Sequence, residues 1–149
     1  MSSPQAIITG GKGGLGEAIS IKLKSAGVDV LSPGRGDLNV ADAASVRDYF
    51  HQLDYIDLLV CNAGAILDKP LARMSESDWD QVMQVNLKGA FLCAREVSRS
   101  MMKRRSGHII FISSFSAIHP PAGQANYAAA KSALLGVMKS MAQELGSIP

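Results

Sequence analysis

A tyrosine and a lysine four residues apart form the first pair in this sequence that could do chemistry. Tyr127 and Lys131 are separated by three alanines, and alanine favours the helix more than any other residue. On a helix, this spacing places both side chains on the same face. An isolated tyrosine is a poor base because a phenol ionises near pH about 10, whereas a fixed ammonium nearby favours the phenolate. The pair is therefore a candidate acid/base device for moving a proton on or off an alcohol oxygen.

Two serines upstream could hold a substrate oxygen near that tyrosine. Residues 108–113 form an apolar run that predicts a buried strand, and Ser113 and Ser114 stand at its end. The alternative is that Tyr127 and Lys131 are only a surface pair, because this spacing occurs often by chance. The rest of the chain must decide between the two interpretations.

A glycine-rich turn follows the first predicted strand. Residues 10–16 contain five glycines, with an apolar run before them and helical apolar spacing after them. Backbone amides at a helix N-terminus bind phosphate, and glycines let a pyrophosphate approach closely. A glycine-rich string alone could be a flexible loop, but its place between a strand and a helix favours a nucleotide-binding turn.

Strands and helices alternate along the chain, which predicts an α/β fold. The predicted strands are residues 6–9, 28–31, 37–40, 56–60 and 108–113. The predicted helices are residues 17–27, 41–53, 75–85, 87–104 and 126–145. Ser75 is the expected N-cap of the third helix, with acidic residues in its first turn. Because several strands are continuous apolar runs, the pattern indicates a parallel sheet covered on both faces.

Composition narrows the class of protein. The 149 residues are 47% hydrophobic and 19% charged, which indicates a globular chain. The net charge of +2 gives no argument for nucleic acid or a membrane surface. Cys61 and Cys93 lie in apolar segments without metal-ligand spacing, so we predict buried thiols, no metal site and a cytoplasmic location.

Six motifs, taken in order, resemble those of the short-chain dehydrogenases/reductases. Thr9-Gly10-x-x-x-Gly14-x-Gly16 resembles the family's nucleotide fingerprint, and Asp37-Leu38 resembles its adenine contact. Cys61-Asn62-Ala63-Gly64 resembles its Asn-Asn-Ala-Gly turn, with a cysteine in place of the first asparagine. The family's catalytic residues are matched by Asn86, by Ser114 and by the pair Tyr127 and Lys131. The resemblance extends from residue 6 to residue 145.

The resemblance implies a fold and a reaction. The fold would be a Rossmann-like doubly wound parallel sheet of strand order 3-2-1-4-5, with residues 1–149 as one nucleotide-binding domain. The reaction would be interconversion of a small-molecule carbonyl and an alcohol by hydride transfer with NAD(P). Tyr127 would exchange the proton, Lys131 would bind the nicotinamide ribose and favour the phenolate, Ser114 would orient the substrate oxygen, and Asn86 would hold a water in a proton relay.

The predicted cofactor contacts combine these motifs with the glycine turn and the turn after the second strand. They are Thr9, Gly10, Lys12, Gly13, Gly14, Leu15, Gly16, Ser32, Arg35, Asp37, Leu38, Asn62, Ala63, Gly64, Tyr127 and Lys131. No carboxylate follows the second strand until Asp37, and that residue is assigned to adenine. Arg35 and Lys12 could instead pair with a 2′-phosphate, which favours NADP(H) over NAD(H).

The chain ends where members of the family continue into two more strands. The resemblance therefore leaves open a second hypothesis, a non-catalytic relative that binds nucleotide or dimerises. The apolar positions of the two long helices, together with the family, predict a homodimer or homotetramer. These positions are Phe91, Ala94, Val97, Met101, Ala133, Leu134, Val137 and Met141.

Overall fold

A four-stranded parallel sheet forms the centre of the molecule in the computed structural model, which describes residues 5–146. The strands, in chain order, are β1 (Gln5–Ile8), β2 (Asp29–Leu31), β3 (Leu58–Cys61) and β4 (His108–Phe111). They lie side by side in the order β2-β1-β3-β4. The chain therefore crosses from one side of β1 to the other between β2 and β3, which creates a switch point at the carboxyl ends of β1 and β3.

Five α-helices connect and cover these strands. They are α1 (Gly14–Ser25), α2 (Ala43–Phe50), α3 (Glu76–Met83), α4 (Gly89–Arg104) and α5 (Ala125–Gly146). Ser75 caps α3 as predicted, because its hydroxyl accepts from Asp78 N while the Asp78 carboxylate accepts from Ser75 N. Helix α4 ends at Arg104, and its C-cap residue Arg105 has a left-handed φ of 52°. The α/β class and the parallel sheet thus agree with the sequence analysis.

The two faces of the sheet are covered unequally. The larger core includes Ile7, Leu59 and Cys61 and packs against residues of α2, α4 and α5. The smaller core, on the side of α1, includes Ala6, Ile8, Val30 and Val60. Strand β4 is an edge strand, and its Ile110 side chain is 45% exposed. Little of the described chain covers that end of the smaller core, as expected for an edge.

The predicted strand at residues 37–40 is wrong, because these residues form a turn. The backbone N–H groups of Asp37 and Leu38 both donate to Gly34 O, and Asn39 N donates to the Ser45 hydroxyl. Local bonds of this kind compete with a strand ladder. Leu38 and Val40 are nevertheless buried, at 3% and 5% exposure. Leu38 and Val40 are buried but do not pair with a neighbouring strand. The segment therefore has an apolar pattern, yet the sheet has four strands instead of the five predicted.

The predicted break between two helices at Asn86 is also wrong. Residues Gln84–Lys88 form a π-helical turn that joins α3 to α4 without interruption. The N–H of Gly89 donates to Gln84 O, five residues back. The extra residue widens the helix locally and turns Asn86 inward.

Within residues 5–146, no helix is both long enough and apolar enough to cross a membrane. The same residues contain no group of three or more His, Cys, Asp or Glu side chains that could hold a metal ion. The Cys61 and Cys93 thiols are both free and buried. Burial raises the pKa of Cys93 to about 12, so this thiol is unreactive at neutral pH.

Candidate active site

A cleft of about 720 Å³ opens at the switch point of the sheet. Its wall contains residues from every motif of the sequence analysis except Asn86 and Ser114. These are Gly10, Gly13, Gly14, Leu15, Gly16, Arg35, Leu38, Asn62, Ala63, Gly64, Ser113, Tyr127 and Lys131, with Val85 and Gln84 beside the buried Asn86. The fold thus brings residues 10 to 131 to one place, as expected for a crevice at the carboxyl ends of parallel strands.

The glycine turn packs against the turn after β3. Gly10 has a φ of 63°, and a Cβ there would lie 2.9 Å from Ala63 Cα. A Cβ at Gly16 would lie 2.6 Å from Gly10 O. These positions therefore require glycine for conformation and for close approach. At Gly14, in contrast, a Cβ would meet open space, so the first amides of α1 face a region that phosphate groups could fill.

Thr9 and Asn62 fasten these two turns together. The Thr9 hydroxyl accepts from the backbone N–H groups of Asn62 and Ala63, each at 3.0 Å. The Asn62 amide donates in return to Thr9 O at 3.0 Å and Gly10 O at 3.3 Å. Thr9 is only 2% exposed, so its hydroxyl serves the loop and not a ligand directly. Its predicted place among the cofactor contacts becomes a supporting one.

Tyr127 and Lys131 lie on the first turns of α5, with both side chains on the cleft. Lys131 Nζ stands 5.8 Å from the centroid of the Tyr127 ring and donates to Ile112 O at 2.8 Å. Lys131 is only 4% exposed, and burial lowers its pKa. An ammonium has three donors, so two remain for a ligand when Ile112 accepts one. A cation held this closely to the sheet is a fixed charge beside the phenol.

Ser113 and Ser114 occupy different positions at the end of β4. Ser113 lies on the cleft wall, and its hydroxyl donates to Lys131 O at 3.1 Å. The Ser114 hydroxyl accepts from Ser116 N at 3.1 Å and caps the short 3-10 helix Phe115–Ala117. An accepting hydroxyl still has its own proton to donate. The arrangement thus leaves Ser114 a donor for a substrate oxygen.

Asn86 is 1% exposed and uses its side chain to hold the backbone beside the cleft. Its amide donates to Ala65 O at 2.7 Å and Val82 O at 2.9 Å, and its Oδ1 accepts from Ala65 N at 3.4 Å. Both N–H groups of the amide are therefore engaged. A water of the predicted relay could contact Oδ1 or the main chain of Asn86, and the amide N–H groups position the loop that contains Gly64 and Ala65.

The loop after β2 departs from the sequence analysis in one respect. Lys12 does have an opposing acid, because its Nζ lies 2.7 Å from Asp37 Oδ2. The expectation missed this pair because the turn at residues 34–37 folds back toward the glycine turn. The Ser32 hydroxyl donates to the Ser20 hydroxyl at 2.8 Å. Arg35 is exposed and lines the cleft.

Asn126 is a positioning residue that the sequence analysis did not select. It is completely buried, and its amide donates to Leu67 O at 3.1 Å and Asp78 O at 3.2 Å. Its Oδ1 accepts from Tyr127 N at 2.8 Å. These bonds fix the start of α5 and hence the position of Tyr127. Asn126 is the second residue of α5, so the preference of asparagine for the N-cap position did not single it out.

Comparisons with known proteins identify the family. The model of the short chain dehydrogenase family matches residues 36–148. This chain belongs to the short-chain dehydrogenases, and by family it is an NAD(P)-dependent oxidoreductase.

The curated relatives include three named 3-oxoacyl-[acyl-carrier-protein] reductase FabG. The protein from Rickettsia bellii is 34% identical over 165 residues, which cover 99% of this chain and 68% of the relative. The protein from Escherichia coli K12 is 35% identical over 95% of this chain and 67% of the relative. The protein from Staphylococcus aureus Mu50 is 41% identical over 88% of this chain and 54% of the relative. The family match and these relatives confirm the predicted family, fold class and enzyme class, whereas the preference for NADP(H) stays a prediction.

The chain spans between about half and about two thirds of the length of these relatives. The alignment with the Rickettsia protein has 165 positions, more than the 149 residues of this chain, so the relative also has internal residues that this chain lacks. The connection from β2 to α2 is short in this structure and contains no helix.

Proposed function

We propose that this protein reduces a carbonyl group to an alcohol with NADPH, and that Tyr127 is the proton donor. The observation that supports the proposal most directly is the position of Tyr127 and Lys131 on the same cleft wall as the glycines at the start of α1. A phosphate-binding turn and an acid/base pair on one cleft are the two parts that this reaction needs. The reverse reaction, oxidation of an alcohol, would use the same groups.

Each part of the cleft has a separate task in this proposal. A bound nicotinamide supplies the hydride that reaches the carbonyl carbon. Ser114 donates a hydrogen bond to the carbonyl oxygen, and Tyr127 transfers its phenolic proton to that oxygen as the alcohol forms. Lys131 stabilises the phenolate left on Tyr127 and donates to the ribose. Asn86 and Thr9 keep the loop turns at the distance that the cofactor requires.

The buried ammonium of Lys131, with two N–H donors left for ligands, explains why a lysine can serve at this position of the cleft. The ammonium is fixed by Ile112 O, so little reorganisation is needed when negative charge forms on the phenol. Burial weakens competition from water and strengthens the interaction between the two groups. The low exposure of Lys131 and its distance of 5.8 Å from the ring centroid therefore favour the acid/base role over a surface pair.

For the substrate we propose a 3-oxoacyl thioester. The three relatives named above are called reductases of 3-oxoacyl groups on acyl carrier protein. The cleft continues from Tyr127 toward Ile66 and Val85, which offer an apolar wall for an acyl chain. Ile66 is 58% exposed, as expected for a residue at the mouth of a cleft.

A second candidate function is binding of nucleotide without turnover. The exposed edge of β4 favours this candidate, since Ile110 on that edge strand is 45% exposed in the described part of the chain. The predicted single domain over residues 1–149, the cytoplasmic location and the homo-oligomer also stay proposals.

Turnover and binding must be measured on the same preparation to separate the two functions. The reduced cofactor absorbs in the near ultraviolet, so loss of absorbance with a panel of ketones and 3-oxoacyl thioesters reports turnover. Fluorescence titration of NADPH reports binding. Tyr127→Phe should lower the rate by about 10²–10⁴-fold while the dissociation constant for NADPH stays within about two-fold, because only the transferable proton is lost.

The matched variant Lys131→Ala should weaken both rate and binding, since Lys131 is assigned to both. A wild-type rate in Tyr127→Phe would remove Tyr127 from the mechanism. NADPH binding without turnover of any substrate in the panel would favour the second candidate.

A further inference from the structure

An ion pair beside the cleft engages one of the two cations that the sequence assigned to a 2′-phosphate. Lys12 Nζ lies 2.7 Å from Asp37 Oδ2, and the same oxygen accepts from Gly34 N at 2.9 Å. These contacts hold the pKa of Asp37 below its ordinary value, with the hydrogen bond from Lys12 as the largest cause. Asp37 is thus a carboxylate at neutral pH, next to the region where a second anion is expected.

The backbone around Gly34 directs the Lys12 side chain toward this carboxylate. A Cβ at Gly34 would lie 2.7 Å from Lys12 Cδ, so the methylene stem of the lysine crosses over the glycine. Gly11 N donates to Pro33 O at 3.0 Å, which ties the glycine turn to the same loop. The glycine turn and the loop that contains Gly34 thus hold Lys12 and Asp37 in contact.

Arg35 has a different environment from Lys12. Its side chain lines the cleft, whereas neither Lys12 nor Asp37 is part of the cleft wall. Among residues 5–146, no acidic group lies within ion-pair distance of Arg35. A planar guanidinium with all its donors available suits a phosphate group.

We propose that Asp37 sets the selectivity between NADPH and NADH by holding Lys12 away from the 2′-phosphate. Arg35 then supplies most of the discrimination, and Lys12 contributes only when it leaves Asp37. The inference rests on the proposed function and refines its cofactor site. Both side chains of the pair are accessible, at 70% for Lys12 and 48% for Asp37, so an incoming phosphate can compete for the lysine.

A double-mutant cycle on the ratio of dissociation constants, NADH over NADPH, tests this inference. Any contact of Asp37 with adenine is common to both cofactors and cancels in the ratio. Asp37→Asn keeps the shape of the side chain and an oxygen for Gly34 N, and it should raise the ratio by about three- to ten-fold. Lys12→Met in the wild-type background should lower the ratio by less than about two-fold, because the lysine is already paired.

The combined variant gives the sharpest expectation. Lys12→Met added to Asp37→Asn should remove nearly the whole gain of Asp37→Asn, because that gain comes from the released lysine. Arg35→Ala should lower the ratio more than Lys12→Met does in the wild-type background. Asp37→Ser is the second variant in case Asp37→Asn does not fold, and circular dichroism with thermal unfolding checks each chain.

Three outcomes are decisive. An unchanged ratio in Asp37→Asn, with cofactor binding intact, overturns the inference and leaves the proposed function standing. Equal effects of Lys12→Met in the presence and absence of the Asp37 carboxylate also overturn it, since the pair would then not restrain the lysine. If the wild-type chain binds neither NADPH nor NADH, the proposed function fails, and the inference fails with it.

Discussion

Replacement of Asn86 by alanine should lower the free energy of unfolding by more than the loss of one hydrogen bond would. The side chain donates to two backbone carbonyls, Ala65 O and Val82 O, at 2.7 and 2.9 Å, and it is 1% exposed. Asn86→Ala removes this partner from both carbonyls, of which the bond to Val82 O is buried and the bond to Ala65 O is partly buried. Loss of a partner costs a buried group about 1–3 kcal/mol and a partly buried group less, so the free energy of unfolding should fall by about 2–5 kcal/mol. That is a large share of the roughly 5–15 kcal/mol that stabilises an ordinary domain.

Urea unfolding followed by circular dichroism measures this loss. Asn39→Ala is the matched control, because Asn39 is half-buried and its Oδ1 accepts one bond, from Ala41 N at 3.2 Å. The control should lose about 0.5–1.5 kcal/mol. Asn86→Ala should also weaken NADPH binding, since Gly64 and Ala65 line the cleft and lose their anchor. A free energy of unfolding within about 0.5 kcal/mol of the control would refute the argument from buried carbonyls.

Three further predictions follow from the structure. Burial lowers the pKa of Lys131 below its ordinary value of 10.5, so the folded chain binds fewer protons than the unfolded chain between those two values. The stability of the wild type relative to Lys131→Met should therefore rise with pH through that window, and a flat difference in urea midpoints would contradict it. Ser114→Ala should lower kcat by about 10²–10³-fold, and Ser113→Ala should lower it by much less. Steady-state kinetics measures both effects. If Ser113→Ala has the larger effect, the contact with the substrate oxygen belongs to Ser113. Light scattering at micromolar concentration should give at least twice the 15.7 kDa of one chain, whereas the mass of one chain would count against a dimer.

The structure buries several of the residues on which the oligomer prediction rested. Ala94, Val97, Met101 and Leu134 are core residues, at 0%, 4%, 6% and 2% exposure. Helical spacing shows that these residues share a face, but it cannot tell a face that packs on the sheet from one that packs on a second chain. The exposed apolar residues of α4 and α5 are Phe91, Met102, Leu135 and Met138. Of these four, only Phe91 was among the predicted positions, and the interface stays a prediction.

The elements of the fold were predictable because they depend on local pattern. Apolar runs located all four strands of the sheet, and Ser75 located the start of α3 through its own capping chemistry. The segment at residues 37–40 failed because Leu38 and Val40 are buried by neighbours distant in sequence while their backbone bonds are local. An apolar pattern reports burial, and a strand needs a ladder partner as well.

Contacts between loops were the least predictable part of the candidate site. The positions of Tyr127, Lys131 and the glycine turn on one cleft follow from strand order, which the motifs implied. The pairing of Lys12 with Asp37 depends on how a turn folds back over Gly34, and no spacing rule specifies that. The π turn at Asn86 was hidden for a similar reason, since one extra residue in a helical turn changes the direction of a side chain without changing the apolar period.

The two halves of the candidate site differ in how firmly the described chain holds them. The cofactor half is anchored on both sides, because Thr9, Asn62 and Asn86 bond the loop turns to buried strands and helices. Helix α5 is anchored at its start by Asn126, but its last turns border an open groove of about 390 Å³ against the edge of β4. Cofactor binding depends on the first set of contacts, and turnover also requires that α5 hold Tyr127 still against a substrate. Binding and turnover can therefore fail independently in this chain, and a change that stabilises α5 against β4 should improve the rate more than the affinity for NADPH.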